Sequence, residues 1–285
     1  MLGFGLFFAL TSLCVRHLSE TLPPIQIAFF RNVLGLILIV PLLLKDGTRL
    51  LKTSRPGMHL LRSTSGLIAM YAMFTAISLL PLAESTALTF TSPLFATMGA
   101  ALFLGEVVGK RRWSATVVGF LGAMIILRPG IAAISPAALI ALVAAVFIAS
   151  SMLMVKSLSR TENPTTIVFY MTSIMAVMSL PAALYIWVPP TPESWPWLIA
   201  LGLIATSSQL MMARAFRAAE ASVVLPFDFS RLIFASIVGY LYFGEIPDLW
   251  TWVGAGVIFA STLYIAQREA RLGKVVIAAK ISPPT

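Results

Sequence analysis

The sequence has little charge and almost no cysteine. Of its 285 residues, 11% are charged, one is cysteine and two are histidine, whereas a soluble domain carries about 25% charged residues. Cys14 alone excludes a disulfide framework and a thiolate metal cluster, and His17 and His59 have no partners at metal-binding spacing. Hydrophobic residues make up 59%, more than a compact soluble fold of this size can bury. Soluble enzymes, disordered chains and nucleic-acid-binding domains are therefore excluded, and an integral membrane protein remains.

Apolar runs divide the chain into ten predicted transmembrane helices, because a helix needs about 20 apolar residues to cross a bilayer. The sequence does not show the alternating polarity of a transmembrane β-barrel, so the expected class is all-α. All six tryptophans fall at predicted span ends, as in an aromatic belt. The predicted spans are 2–18, 24–44, 60–80, 83–104, 113–129, 136–157, 165–187, 195–216, 221–243 and 249–267.

Basic residues orient these helices. Fifteen lysines and arginines fall in connections and the tail on one side of the predicted membrane, and only Arg16 and Arg128 on the other. Positive residues accumulate on the cytoplasmic side. Both termini are therefore expected in the cytoplasm.

The chain resembles itself when shifted by about 140 residues. Pro24 then falls on Pro164, and one residue less of shift places Gly105-Glu106 on Gly244-Glu245. Each copy holds five spans, an odd number, so the second copy must enter the membrane from the opposite side. Inverted repeats are associated with alternating access and a substrate site near the midplane. The expected units are 1–130 for the first repeat, 131–270 for the second and 271–285 for a cytoplasmic tail.

Three ionisable side chains lie well inside predicted spans: Arg31 in the second, and Asp228 with Arg231 in the ninth. Such groups are costly in lipid and face a cavity or a partner. Asp228 and Arg231 share a helical face, where they could hold the ends of a zwitterion, or Asp228 could carry a proton. They could equally form a self-neutralising structural pair, and Arg31 could extend to the membrane surface.

Prolines interrupt corresponding spans of both halves. Pro93 lies midway along the fourth span and Pro226 early in the ninth. Each removes one backbone hydrogen bond and frees the carbonyl four residues earlier, at Thr89 and Ser222. Such breaks are a sequence indicator of a transporter site, and a kink healed by neighbouring helices is the alternative.

Polar and aromatic residues inside the spans add candidates, although each could also serve packing. Thr89 and Ser92 belong to a polar cluster in the fourth span, and Gln209 is the lone amide of the eighth. Tyr71 and Phe227 could supply aromatic surface. The predicted substrate-binding set is Arg31, Tyr71, Thr89, Ser92, Pro93, Gln209, Phe227, Asp228 and Arg231.

Signatures of other chemistry are missing from the sequence. Gly105-x-x-x-Gly109-Lys110 is one residue short of a phosphate-binding loop. Neither a zinc-protease motif nor a nucleophile elbow occurs, and no intramembrane pair of catalytic groups is convincing. We therefore expect neither an enzyme nor ATP-driven transport, and no metal site.

Several motifs resemble the ten-helix EamA branch of the drug/metabolite transporter superfamily. They are Leu82-Ala83-Glu84-Ser85-Thr86-Ala87, Ser92-Pro93-Leu94-Phe95 and Phe103-Leu104-Gly105-Glu106, with Ala221-Ser222-Val223-Val224-Leu225-Pro226 and Phe243-Gly244-Glu245 in the second half. The resemblance implies a bacterial inner membrane, a central cavity lined mainly by spans 1, 3, 4, 6, 8 and 9, and no bound cofactor. Similar proteins include amino-acid exporters of the YddG type and uptake carriers for S-adenosylmethionine or riboflavin.

These observations predict a secondary carrier for small organic metabolites, with export of amino acids, aromatic ones included, as the favoured activity. Uptake of S-adenosylmethionine or riboflavin is the alternative. The amino-acid class and the direction come from the resemblance; the residues themselves indicate only an apolar cavity with few polar anchors. The expected partners are the lipid bilayer and a small-molecule substrate, without nucleic acid. A monomer is compatible with the sequence, which does not fix the oligomeric state.

Overall fold

The computed structural model describes residues 2–46, 52–103, 110–127, 135–218 and 230–281. Within these ranges the chain forms eleven α-helices and no strand, so the all-helical class is confirmed. The helices are α1 Leu2–Leu18, α2 Pro24–Asp46, α3 Pro56–Leu79, α4 Leu82–Thr89, α5 Ser92–Phe103, α6 Lys110–Leu127, α7 Pro136–Leu158, α8 Pro164–Tyr185, α9 Ser194–Ala218, α10 Ser230–Phe243 and α11 Leu249–Ile281.

Prolines mark where several helices begin. Proline is favoured at the first helical position, because its fixed φ suits a helix and its missing N–H would have no partner there. At the start of α8, the Asn163 side chain also accepts a hydrogen bond from the Thr165 N–H at 3.0 Å. The helices that begin with proline are α2, α3, α7 and α8.

Among the described residues, five helices are long and apolar enough to cross a bilayer: Pro24–Pro41, Pro56–Leu79, Pro136–Leu158, Pro164–Tyr185 and Ser194–Ala215. Four shorter apolar helices are Gly3–Leu18, Trp113–Leu127, Ser230–Phe243 and Leu249–Ile265. These segments lie where the sequence predicts every span except the fourth. The number of ten spans stays a prediction.

The fourth predicted span, 83–104, is not one continuous helix. It consists of α4 and α5, which are separated at Phe90 and Thr91. The Phe90 and Thr91 amides donate to carbonyls three residues back, Ala87 and Leu88, at 3.1 and 3.2 Å. Pro93 has no N–H with which to continue the α-helical pattern. The structure therefore has an interruption near Pro93, where the sequence predicts one.

The last helix is also longer than predicted. Helix α11 continues to Ile281, beyond the predicted span end at 267 and through most of the expected tail. Alanine, arginine and lysine, which favour helices, are frequent in this stretch.

Large apolar side chains lie exposed on the outer faces of most helices, among them Val177, Leu184 and Leu241. In water this surface would favour association. In a bilayer it is the expected surface, because each helix satisfies its own backbone hydrogen bonds. The exposed tryptophans Trp113, Trp187, Trp195, Trp250 and Trp252 lie at or near helix ends, in agreement with an aromatic belt.

Helices from the two halves of the chain pack against one another throughout. The most extensive pairs are α6 with α11, α3 with α7, α2 with α8 and α1 with α9. Glycines allow the closest of these crossings. A Cβ atom on Gly254 would lie 2.6 Å from the Gly122 carbonyl oxygen and 2.5 Å from Ile126 Cγ1. Helices α6 and α11 are therefore in backbone contact.

We predict that Gly254→Ala destabilises the protein by about 1–3 kcal/mol, because the added methyl group forces α6 and α11 apart. The measurement is thermal unfolding in detergent. Gly256→Ala on the same helix is the matched control, since a Cβ atom there meets nothing within 4 Å. Equal losses in the two variants would contradict the predicted close packing.

Candidate functional site

A cavity of about 170 Å³ lies between α1, α2, α3, α7, α8, α9 and α10. Most of its surface is apolar, and flexible methionine side chains form much of it. Six methionines line it: Met70, Met73, Met152, Met171, Met175 and Met212. Phe4, Phe8 and Phe74 add aromatic surface, while Thr11, Ser151, Ser208 and Gln209 supply hydroxyls and an amide. The cavity thus combines a large apolar surface with a few polar anchors, as ligand sites generally do.

Three arginines line the same cavity from three helices. Arg31 on α2, Arg62 on α3 and Arg231 on α10 are only 4%, 3% and 6% exposed. The described lining residues include no aspartate or glutamate. The described part of the cavity therefore has a positive electrostatic character.

Arg31 is fixed by the residue that follows it. Its Nη1 donates to Asn32 Oδ1 at 2.7 Å, and Asn32 Nδ2 contacts Met70 Sδ at 3.8 Å. Because Arg31 is almost completely buried and faces the cavity, it does not extend to the membrane surface. The alternative in which the Arg31 side chain extends to the membrane surface is therefore wrong.

Arg62 lies on α3, one helical turn before Gly66. A Cβ atom on Gly66 would collide with Met175 Cε and lie 3.7 Å from Arg62 Nη1. The absence of a side chain at Gly66 thus leaves room for both groups beside the cavity. Among the described residues, Arg62 Nε and Nη1 have no hydrogen-bond acceptor, and Gln209 Oε1 has no donor.

Arg231 lies among phenylalanine rings. Its guanidinium carbon is 4.7 Å from the centroid of Phe8, 5.1 Å from that of Phe90 and 5.8 Å from that of Phe4. Cation–π attraction stabilises such an arrangement. Gly5 allows it, because a Cβ atom there would lie 3.3 Å from the Arg231 amide nitrogen. Phe90 is one of the residues at the break between α4 and α5, so that break helps to position Arg231.

Three of the predicted site residues meet at this cavity: Arg31, Gln209 and Arg231. Tyr71 is not among its lining residues and instead packs against neighbouring apolar clusters. The predicted Phe227 and Asp228 lie outside the described residues. Pairing of Asp228 with Arg231 therefore stays a prediction.

Thr89, Ser92 and Pro93 surround the interruption of the fourth span and do not line the cavity. Thr89 Oγ1 donates to the Thr86 carbonyl oxygen at 2.7 Å, and Thr89 and Ser92 are buried. Side chains that bond to their own helical turn shape the backbone locally. No described residue of α4 or α5 lines the cavity, whereas α2 and α8 do, which corrects the set of spans implied by the resemblance.

Arg62 is the functional candidate that the sequence analysis did not select. The predicted third span began at residue 60, which left Arg62 at a membrane surface. The helix begins earlier, at Pro56, so Arg62 lies well inside it. Pro56 was the available signal, since proline is favoured at the first position of a helix.

One end of the bundle is closed by contacts between the two halves of the chain. Arg16 Nη2 lies 3.4 Å from Glu245 Oε1, and Arg16 Nη1 donates to the carbonyl oxygens of Ile77 and Leu80, at 2.7 Å each. The Leu82 amide donates to Glu245 Oε2 at 2.8 Å. We call these residues the Arg16–Glu245 cluster.

Aromatic rings reinforce the same end. His17 stacks on Trp197 with ring centroids 4.3 Å apart, and Trp197 meets Tyr242 at 5.9 Å. Helices α1, α9 and α10 are joined there.

The opposite end is joined by fewer described contacts. Thr53 Oγ1 donates to Glu162 Oε1 at 2.7 Å, and Arg55 Nη2 donates to Ser157 Oγ at 2.9 Å. The four lining residues of α7, from Ile148 to Val155, all lie in the half of that helix nearer this end. The cavity is therefore displaced away from the Arg16–Glu245 cluster.

Comparison with known families identifies the class of protein. The model of the EamA-like transporter family matches residues 1–128 and again residues 135–267. The chain belongs to the EamA-like transporter family. The expectation of a membrane transporter of the drug/metabolite class is confirmed by this match.

Curated relatives with similar sequences cover almost the whole chain. A riboflavin transporter of Vibrio cholerae serotype O1 is 37% identical over 95% of this chain and 93% of its own length. An S-adenosylmethionine uptake transporter of Rickettsia bellii is 31% identical, covering 90% and 88%. The pseudopaline exporter of Pseudomonas aeruginosa is 30% identical, covering 92% and 93%. These names differ in both substrate and direction.

A crystal structure supports the fold. It superimposes with a TM-score of 0.65 over 95% of this chain and 96% of its own, at 17% identity. At this identity the likeness concerns the fold alone.

We predict that cysteines placed at Ser151 and Ser208 react with a small hydrophilic thiol reagent, because both side chains line the cavity. The background is Cys14→Ala, which removes the one native thiol. Ser179→Cys is the matched control, since Ser179 is fully buried outside the cavity and bonds to its own helix. Mass spectrometry of labelled protein gives the yield, and equal labelling at all three positions would contradict the assigned cavity.

Proposed function

We propose that this chain is a secondary carrier for a flat, amphipathic metabolite without net positive charge, and that riboflavin is its substrate. The observation that carries the proposal is the composition of the cavity: methionine and phenylalanine surfaces, three arginines, and no carboxylate among the described lining residues. Three relatives named riboflavin transporters, 37%, 33% and 34% identical, support the same choice.

The chemistry of riboflavin fits these side chains. Its fused ring system is flat and can lie between methionine thioethers and phenylalanine rings. One edge of the ring carries carbonyl and ring-nitrogen acceptors, while guanidinium groups are donors only. The hydroxyls of its ribityl chain suit the smaller polar residues, such as Ser151, Ser208 and Gln209.

The same charges argue against S-adenosylmethionine. This molecule carries a sulfonium and an ammonium group against a single carboxylate, so its net charge is positive. Like charges brought together in a poorly hydrated cavity disfavour binding and so provide specificity against the wrong substrate.

Amino-acid export stays a prediction. An arginine could hold the carboxylate of an amino acid, but its ammonium group needs an acceptor such as a carboxylate. The described lining residues include no carboxylate, and Gln209 Oε1 is a neutral and therefore weaker acceptor for an ammonium group. The cavity therefore favours riboflavin over a zwitterion.

The proposal includes alternating access by two inverted repeats of five spans each. Two observations support it. The family model matches the chain twice. A shift of about 140 residues places α1 on α7 and α3 on α9, so the α3–α7 and α1–α9 packing contacts correspond to each other, and both contacts are extensive. The contacts between the two halves at both ends of the bundle are of the kind that must alternately break and form.

The proposal also includes a bacterial inner membrane and cytoplasmic termini. The charge bias of the connections supports this orientation.

The test is counterflow in proteoliposomes that contain the purified protein. Vesicles preloaded with unlabelled riboflavin should accumulate labelled riboflavin saturably, whereas S-adenosylmethionine and phenylalanine should compete weakly. Protein-free vesicles are the control. Saturable transport of S-adenosylmethionine or of amino acids without any riboflavin transport would refute the proposed substrate, and non-saturable flux would refute a carrier.

A second prediction concerns the Arg16–Glu245 cluster. Glu245→Ala removes the partner of both Arg16 and the Leu82 amide, so we expect this end of the bundle to open more often. Spin labels at the exposed positions Glu20 and Ile246, in the Cys14→Ala background, would report the separation of the two halves by electron–electron resonance. A longer distance component should grow in Glu245→Ala.

Glu193→Ala, which removes an exposed carboxylate beside α9, is the matched control and should leave the distances unchanged. An unaltered distance distribution in Glu245→Ala would show that the cluster does not hold this end closed.

A further inference from the structure

Two like charges share one side of the cavity. Arg31 and Arg62 come from the consecutive helices α2 and α3, are both more than nine-tenths buried, and line the cavity together. Arg62 lies close enough to Arg31 for the two positive charges to repel each other. Because the low dielectric of the site strengthens this repulsion, the pair destabilises the protein unless something compensates it.

The described protein groups compensate only part of this charge. Arg31 donates to the neutral amide of Asn32, but Nε and Nη1 of Arg62 have no acceptor among the described residues. Buried charges are normally paired or fully hydrogen-bonded, since an unpaired one is strongly destabilising. Arg231 is placed differently, because phenylalanine rings surround its guanidinium.

The arrangement of these donors defines the chemistry of the missing partner. A guanidinium group presents its N–H donors as a flat fork, which matches the two oxygens of a carboxylate or a phosphate. Gly66 contributes no side chain beside Arg62 Nη1, and the group that lies there instead is the flexible end of Met175. The methionine and phenylalanine surfaces remain available for an apolar ring.

We propose that Arg62 and Arg31 form an oxyanion-binding subsite in the cavity, which takes one carboxylate or phosphate group. The subsite deepens the proposed function, because it rests on this cavity being the transport site. Riboflavin itself is uncharged, so the oxyanion is either a free ion bound beside it or the phosphate of a phosphorylated flavin.

Thermal unfolding of the full chain in detergent tests the subsite without reference to transport. A ligand that binds the folded state raises its stability with concentration. Inorganic phosphate, titrated at constant ionic strength with chloride, should raise the unfolding midpoint of the unchanged protein saturably. In Arg62→Gln the affinity for phosphate should fall about ten-fold or more, as expected when hydrogen bonds to a charged group are lost.

Two further variants keep the test decisive if Arg62→Gln folds poorly. Arg62→Lys keeps the charge but loses the fork and should show an intermediate affinity. Arg160→Gln, which removes an exposed charge that does not line the cavity, should match the unchanged protein. Absence of phosphate stabilisation in the unchanged protein, or the same stabilisation in all variants, would overturn the proposal.

The source of the oxyanion is decided by transport measurements. If a free ion binds beside riboflavin, phosphate should stimulate riboflavin counterflow, and Arg62→Gln should abolish the stimulation. If the substrate carries the group, flavin mononucleotide should compete with phosphate and bind more tightly than riboflavin. Arg62-dependent phosphate binding without any flavin transport would refute the proposed substrate and leave the subsite intact, so the two failures are distinguishable.

Discussion

An ionised side chain in the hydrocarbon of a bilayer must face protein or water, because exposure at the centre costs about 2.5–3.5 kcal/mol. In this protein the constraint acts on Arg31, Arg62 and Arg231, which come from α2, α3 and α10 and meet at one cavity. These helices cannot rotate outward without carrying a charge into lipid. The position of the cavity, the direction of the helix faces and the apolar outer surface therefore depend on one another.

Glycines and the interruption of the fourth span allow the helices to pack closely around the buried arginines. Gly5 lets α1 approach the start of α10, and Phe90, where α4 ends, contributes a ring to Arg231. Contacts at both ends of the bundle join residues before 128 to residues after 135. The proposed carrier mechanism requires ends that can separate, and the contacts at these ends are different from those around the buried arginines.

Much of this could be predicted from the sequence. Arg31, Gln209 and Arg231 stand out because polar groups are rare in apolar runs, and the physical cost of burying them points to a cavity. Arg62 was missed because apolar content alone does not show where a helix begins. Thr89, Ser92 and Pro93 correctly marked a break, but whether a break faces a cavity depends on which helices pack beside it. Periodicity cannot supply that information in segments that are apolar on every face.

The six methionines of the cavity have a consequence for how this kind of protein changes over evolutionary time. Thioether side chains are flexible and polarizable, so they adapt to differently shaped ligands without repacking the bundle. Recognition then depends on a handful of polar groups, and a few substitutions among them would redirect the carrier to new cargo. A cavity lined by methionine side chains is therefore compatible with different substrates among relatives. Two chains that are 37% and 30% identical to this one are named riboflavin transporter and pseudopaline exporter.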